Sequence, residues 1–110
     1  MSSRFRINLS ISKLKKEEIN KIDNLVKKMW DWEDVFSYVD KRNRNIHASG
    51  EGSFNSCLTD EEFARELAES VWKKIKRFVP VNVTATCLEN LPYEEYDFDE
   101  DRYEDWKNED

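Results

Sequence analysis

Phe5, Ile7, Leu9 and Ile11 alternate with Arg4, Arg6, Asn8, Ser10 and Ser12. A period of two predicts a strand with one wet face. The period then changes. Leu14, Ile19, Ile22, Val26 and Met29 recur every three or four residues, Leu25 and Trp30 widen the stripe, and lysines and glutamates fill the other positions. That spacing predicts an amphipathic helix over 15–30. Val35-Phe-Ser-Tyr-Val39 is short and β-prone, and 40–45 is a polar turn. From Ile46 to Phe54 the alternation returns, with Ile46, Ala48, Gly50, Gly52 and Phe54 on one side and His47, Ser49, Glu51 and Ser53 on the other. Residues 35–54 therefore read as a hairpin. The two glycines imply a bulge or the close approach of a packed helix.

A second helix carries the best local signal. Thr59-Asp-Glu-Glu62 is a capping box, and Leu58 with Phe63 fits a hydrophobic staple. Phe63, Leu67, Val71, Ile75 and Phe78 form its inward stripe, helped by Ala64, Ala68 and Trp72. The acidic first turn and basic last turn suit the helix dipole, and Pro80 stops it. Val81, Val83, Ala85 and Cys87 then alternate with Asn82, Thr84 and Thr86 as a further strand. The order β-α-β-β-α-β predicts an α+β fold of the ferredoxin-like, split βαβ kind, with both helices on one face of a four-stranded antiparallel sheet. If 35–39 were not a strand, three strands would remain. The expected division is an α+β domain over 1–88 and an acidic, aromatic tail over 89–110, with no internal repeat.

Charge changes this picture most. The 110 residues carry 18 basic and 24 acidic groups, a net charge of −6. Residues 89–110 hold 11 of the acids and only Arg102 and Lys107 as bases, so a mildly basic body ends in a strongly acidic segment. Such a segment repels nucleic acid and anionic membranes and attracts basic protein surfaces. A mean hydropathy of −0.90 and the lack of a long apolar run argue against a membrane span, and the opening residues contain no apolar signal core. A cytoplasmic protein is the expectation. Cys57 and Cys87 form no CxxC motif and read as two reduced thiols, although one disulfide is open to them. A single histidine, His47, excludes a histidine metal cage.

Little else suggests catalysis. The sheet face away from the helices would show Arg4, Arg6, Asn8, Ser10, His47, Ser49, Glu51, Ser53, Asn82, Thr84 and Thr86, a solvated face or a polar docking face. The 46–54 strand lacks the basic, aromatic-rich motif of RNA-recognition domains. His47 and Glu51 fall on one side as an acid–base pair, without a nucleophile or a third orienting group. Basic clusters at 41–44 and 73–77 can touch phosphate, or can be a solvated turn and a dipole-matched helix end. Another reading folds the acidic tail against them. Asp97, Asp99 and Asp101 imitate the start of an EF-hand, but Arg102 stands where glycine is needed and Asn108 where glutamate is. No cofactor is expected.

The tail interleaves Leu91, Tyr93, Tyr96, Phe98, Tyr103 and Trp106 with carboxylates. Rings resist exposure, so part of it should dock on its own body or on a partner. Fixed carboxylates can imitate a row of phosphates, and the residues expected to contact a basic partner are Glu94, Glu95, Tyr96, Asp97, Asp99, Glu100, Asp101 and Tyr103.

The stretch from Leu88 through Leu91-Pro-Tyr-Glu-Glu-Tyr-Asp-Phe-Asp-Glu-Asp-Arg-Tyr103 resembles the ends of small proteins from phages and mobile elements. The "TDEEFARELAESVW" segment, Thr59–Trp72, is similar in style, so the resemblance covers about the last half of the chain; it brings no catalytic motif. It implies a phage setting, in which small acidic proteins inhibit host nucleases such as CRISPR effectors or restriction enzymes. The leading expectation is a non-enzymatic, protein-binding inhibitor that acts as a nucleic-acid mimic on a basic host nuclease. The alternatives are a small nucleic-acid binder with the tail as an autoinhibitory flap, or a homo-oligomeric structural protein joined through its sheet edges.

Overall fold

The computed structural model describes residues 4–53, 59–88 and 93–108. Among them lie five strands and three helices: β1 (Arg4–Leu14), α1 (Lys16–Lys27), β2 (Asp34–Asp40), β3 (Asn43–Ser53), α2 (Asp60–Ile75), β4 (Val81–Cys87), β5 (Tyr93–Phe98) and α3 (Glu100–Asn108). The strands form one antiparallel sheet in the order β2-β3-β1-β4-β5. The fold is α+β. Four strands and two helices in the ferredoxin-like pattern do not fully describe it, because the acidic segment adds a fifth strand beside β4 and a third helix. The segment 35–39 is a strand, paired along its length with β3.

The alternation in β1 sorts the two sheet faces. Ile7, Leu9 and Ile11 are buried, and Gly50, Ala48 and Ile46 of β3 and Ala85, Val83 and Val81 of β4 stand opposite them. Ile22 and Val26 of α1 and Phe63, Leu67, Val71 and Trp72 of α2 complete this core. Arg6, Asn8 and Ser10 point to the open face, level with Glu51, Ser49 and His47.

Three departures from the sequence periods have local causes. The first helix ends at Lys27 rather than at residue 30, because Trp30 leaves its stripe and Trp32 folds back on the helix end. The Trp32 indole donates to the Val26 carbonyl at 2.6 Å, satisfying a helix-end acceptor, and the Trp30 indole donates to the Gly50 carbonyl at 3.1 Å. The glycines of β3 serve this approach. A Cβ on Gly50 would lie 2.4 Å from the Asp31 carbonyl, and one on Gly52 would lie 2.9 Å from the Trp30 ring. The approaching group is thus the segment after α1 rather than a helix.

The second helix starts with the N-cap half of its capping box, the Thr59 hydroxyl accepting from the Glu62 N–H at 3.1 Å. Leu58, and with it the staple, lies outside the described residues. This helix ends at Ile75, where Lys76 turns left-handed (φ 59°), so Phe78 packs on Trp72 from beyond the helix. In β1, a bulge between Ile11 and Leu14 puts Lys13 in the left-handed region (φ 62°). Arg77 holds that bulge: it donates to the Lys13 carbonyl at 2.9 Å and, through Nε, to Glu18 Oε2 at 2.8 Å.

Candidate functional site: an ordered acidic edge

Acidic residues are poor strand formers, so β5 must be held by packing. Its register with β4 runs from Val81 opposite Phe98 to Thr86 opposite Tyr93. Phe98 points into the core and is buried, its ring edge-on to Trp72 at 6.2 Å. Tyr96 turns to the same side, and its hydroxyl donates to Asp60 Oδ2 at 2.8 Å. Burial first, and then the Asp60 carboxylate, raise the Tyr96 pKa well above the ordinary tyrosine value. Its neutral form is therefore the one that fits the fold. The stability it contributes is complete below pH 10 and is lost as pH rises from there through the raised value. Tyr96→Phe should lower stability by about 1 kcal/mol and remove this alkaline loosening, which tyrosinate absorbance and a denaturant titration at two pH values would check.

α3 is anchored next. Asp99 caps it, accepting the Arg102 N–H at 3.0 Å. Tyr103 and Trp106, one turn apart, both lean on Trp72, with ring centres at 5.3 Å and 5.7 Å, and Tyr103 also meets Phe78 at 5.7 Å. Trp72 is buried and donates its indole N–H to the Val79 carbonyl at 2.9 Å. The two bases of the segment stay within it: Arg102 lies over the Phe98 ring at 5.4 Å and Lys107 over Tyr103 at 6.0 Å.

What remains outward is mostly acid, with Tyr93 at the start of β5 also exposed, at 66%. Glu94, Glu95, Asp97, Asp99, Glu100 and Asp101 are exposed, and so are Glu104 and Asp105. Among the described residues none of these eight forms an ion pair. Glu95 and Asp97 stand opposite Thr84 and Asn82 on the open face, about 7 Å apart along the strand, while Glu94 is opposite Ala85 on the helix side. The eight sequence-predicted residues are thus gathered on β5, on Asp99 between the two elements, and on the start of α3. Tyr96 and Tyr103 hold this edge from within, and the carboxylates form its surface. Glu104 and Asp105 belong to the same surface. Only the helical spacing of Tyr103 and Trp106 could have signalled the helix that carries them.

The other side chains weighed for chemistry have separate partners. His47 and Glu51 share the open face but face different partners: His47 Nδ1 is 3.2 Å from the Ser10 hydroxyl, and Glu51 Oε2 accepts from Arg6 at 2.5 Å. Among the described residues no group of acids, histidines and cysteines could hold a metal ion. Cys87 is free and half-buried, and Cys57 lies outside the described residues. No helix among the described residues is long and apolar enough to cross a membrane. One group of side chains escaped the sequence reading. Phe36 and Tyr38 of β2 lie on the open face at 45% and 46% exposure, and the Phe36 ring centre is 6.1 Å from that of Tyr38 and 5.3 Å from that of His47. No protein-family model, curated protein or solved structure matches the chain.

Proposed function

We propose that this protein is a non-enzymatic inhibitor that binds a basic surface of a nucleic-acid-handling protein through the acidic edge formed by β5 and the start of α3. The observation that carries this reading is the division of labour within residues 93–108. Phe98, Tyr103 and Trp106 are sheltered on Trp72, and among the described residues the exposed carboxylates form no ion pair. A fixed acidic edge loses less conformational entropy on binding than a flexible acidic tail, and its field steers a cationic partner. Charges at regular steps along a strand resemble a phosphate row. The partner class is therefore a protein whose own ligand is DNA or RNA, such as a CRISPR effector or a restriction nuclease, and the setting is a phage protein acting in the host cytoplasm. Against the autoinhibitory-flap reading, β5 is hydrogen-bonded into the sheet edge, and Lys41, Arg42, Lys73 and Lys74 are exposed.

The test is inhibition of DNA cleavage by purified CRISPR effectors and restriction nucleases, with the inhibitor added before and after the DNA. Inhibition should be relieved by excess DNA and weakened by salt. A variant carrying Glu94→Gln, Glu95→Gln, Asp97→Asn, Glu100→Gln and Asp101→Asn leaves the Asp99 cap and the ring anchors in place. At about 0.5 kcal/mol per exposed charge pair, it should bind between tenfold and a hundredfold more weakly. An unchanged affinity in the folded variant would remove the acidic edge from the mechanism.

A further inference from the structure

The two edges of the sheet are protected very differently. β5 presents Glu94, Glu95 and Asp97, the kind of charge that keeps an edge from pairing with another strand. β2 carries no lysine, proline or bulge between Asp34 and Asp40. Its middle reads Val35-Phe36-Ser37-Tyr38-Val39, and Phe36, Tyr38 and Val39 are 45%, 46% and 58% exposed. No other strand covers its outer side among the described residues.

That five-residue stretch is symmetric in character about Ser37. We infer that β2 pairs antiparallel with β2 of a second copy of this chain, around a two-fold axis at Ser37. The β2–β3 turn fixes which backbone groups are free to do this. Asp40 and Asn43 are partners flanking a two-residue turn of Lys41 and Arg42, with Lys41 left-handed (φ 56°). A turn of this kind closes with a hydrogen bond between its flanking residues. Alternation along the ladder then aims the N–H and C=O groups of Tyr38 and Phe36 at β3, and those of Val39, Ser37 and Val35 outward. The outward set is the set a second strand needs. With Ser37 facing its counterpart, Val35 lies opposite Val39 of the other copy, and these positions exchange the ladder hydrogen bonds. Phe36 then lies opposite Tyr38 in the closer, non-hydrogen-bonded positions where side chains touch most, and this happens twice. The rings that are exposed in one chain become a cluster of four. A register displaced by two residues would set Val35 or Val39 against Ser37 or an acid, so the sequence selects the centred one.

Electrostatics opposes the pairing to a defined degree. Asp34 falls opposite Asp40 of the other copy, and each chain carries a net charge of −6. Salt should therefore tighten this association. Salt should weaken the contact of the acidic edge with a basic partner, so failure of one proposal is distinguishable from failure of the other. The product is a continuous ten-stranded sheet with β5 at both ends, about 43 Å apart at the strand spacing of about 4.8 Å.

Sedimentation of the full chain, titrated in concentration at low and high salt, tests the inference. The expected result is a transition from 13.2 kDa to twice that mass, at lower concentration in the higher salt. Ser37→Pro removes an N–H that β3 does not use, so it should leave the thermal transition of the monomer in place and abolish the dimer. Phe36→Ser with Tyr38→Ser provides a second variant that keeps the backbone unchanged and should weaken the dimer at least tenfold. A single-chain mass at every concentration up to millimolar overturns the inference. So does a dimer that persists in folded Ser37→Pro. A monomer in which a single-stranded oligothymidine quenches the Tyr38 signal also overturns it, and would assign the rings to base stacking.

Discussion

Trp72→Ala should lower the stability of this protein by about 3–5 kcal/mol and release the acidic edge with it. The side chain is fully buried, and four rings (Phe78, Phe98, Tyr103 and Trp106) meet it. Its removal leaves a large cavity and strips the Val79 carbonyl of its donor. For a domain of this size the melting temperature should fall by more than 10 °C. The specific consequence concerns residues 93–108. Since Phe98, Tyr103 and Trp106 all pack on this ring, proteolysis near Glu100 should accelerate more than cleavage within β1 or β3. Trp72→Phe separates the contributions, because it keeps much of the ring surface and loses the indole bond. It should cost less than half as much. Thermal melts followed by circular dichroism, with limited proteolysis read by mass spectrometry, check both variants. A melt within a degree or two of the wild type for Trp72→Ala would mean that the edge is not anchored through this ring.

The second large effect is expected at the Glu18–Arg77 pair. Glu18 is buried near the start of α1, where Oε1 accepts the Lys15 N–H at 2.8 Å and both oxygens face the Arg77 guanidinium. Arg77 also donates to the carbonyls of Lys13 and Phe78. One guanidinium therefore ties the β1 bulge and the start of α1 to the link between α2 and β4. The hydrogen bond from Arg77 holds the Glu18 pKa below its ordinary value of 4.5, against the opposing push of burial. A carboxylate whose pKa is depressed in the fold adds stability that is present above its unfolded value and is lost as pH falls through the folded one. The loss should begin below about pH 4.5 and continue downward. Glu18→Gln keeps the shape, leaves the cation short of its partner, and should cost about 2–3 kcal/mol at pH 7. The figure is at the modest end for such pairs because the Arg77 side chain retains 31% of its exposure. The same variant should flatten the acid limb of stability against pH. An unaltered limb would assign acid sensitivity to other carboxylates.

Most of the α+β body was legible because one physical signal was strong in each element. β1 and β4 alternate cleanly, since one sheet face is covered and the other is wet. α2 announces itself by the Thr59 cap and a stripe at helical spacing. The exit of α1 was not legible, because Trp30 continues the apolar stripe in sequence while leaving it in space. Its partners, the Gly50 carbonyl and the Gly52 floor, are distant along the chain. β5 was hidden for a different reason. Two inward rings among three acids give almost no strand signal, and the strand exists only because β4 offers an edge and Trp72 offers a surface. The acidic residues of the candidate site were legible as a charge run. Their fixed placement, and the conversion of Tyr96 and Tyr103 from expected contacts into anchors, required the packing. The exposure of Phe36 and Tyr38 has no signature in the sequence, because a short strand does not reveal which of its faces will be left bare.

The pairing of β5 with β4 also closes the sheet on that side. Without Tyr93–Phe98 in place, β4 would present an unpaired edge, and the flank of Trp72 that meets Tyr103 and Trp106 would face water. The negatively charged segment thus doubles as a cover, sealing an adhesive strand with one whose own outer side repels further pairing.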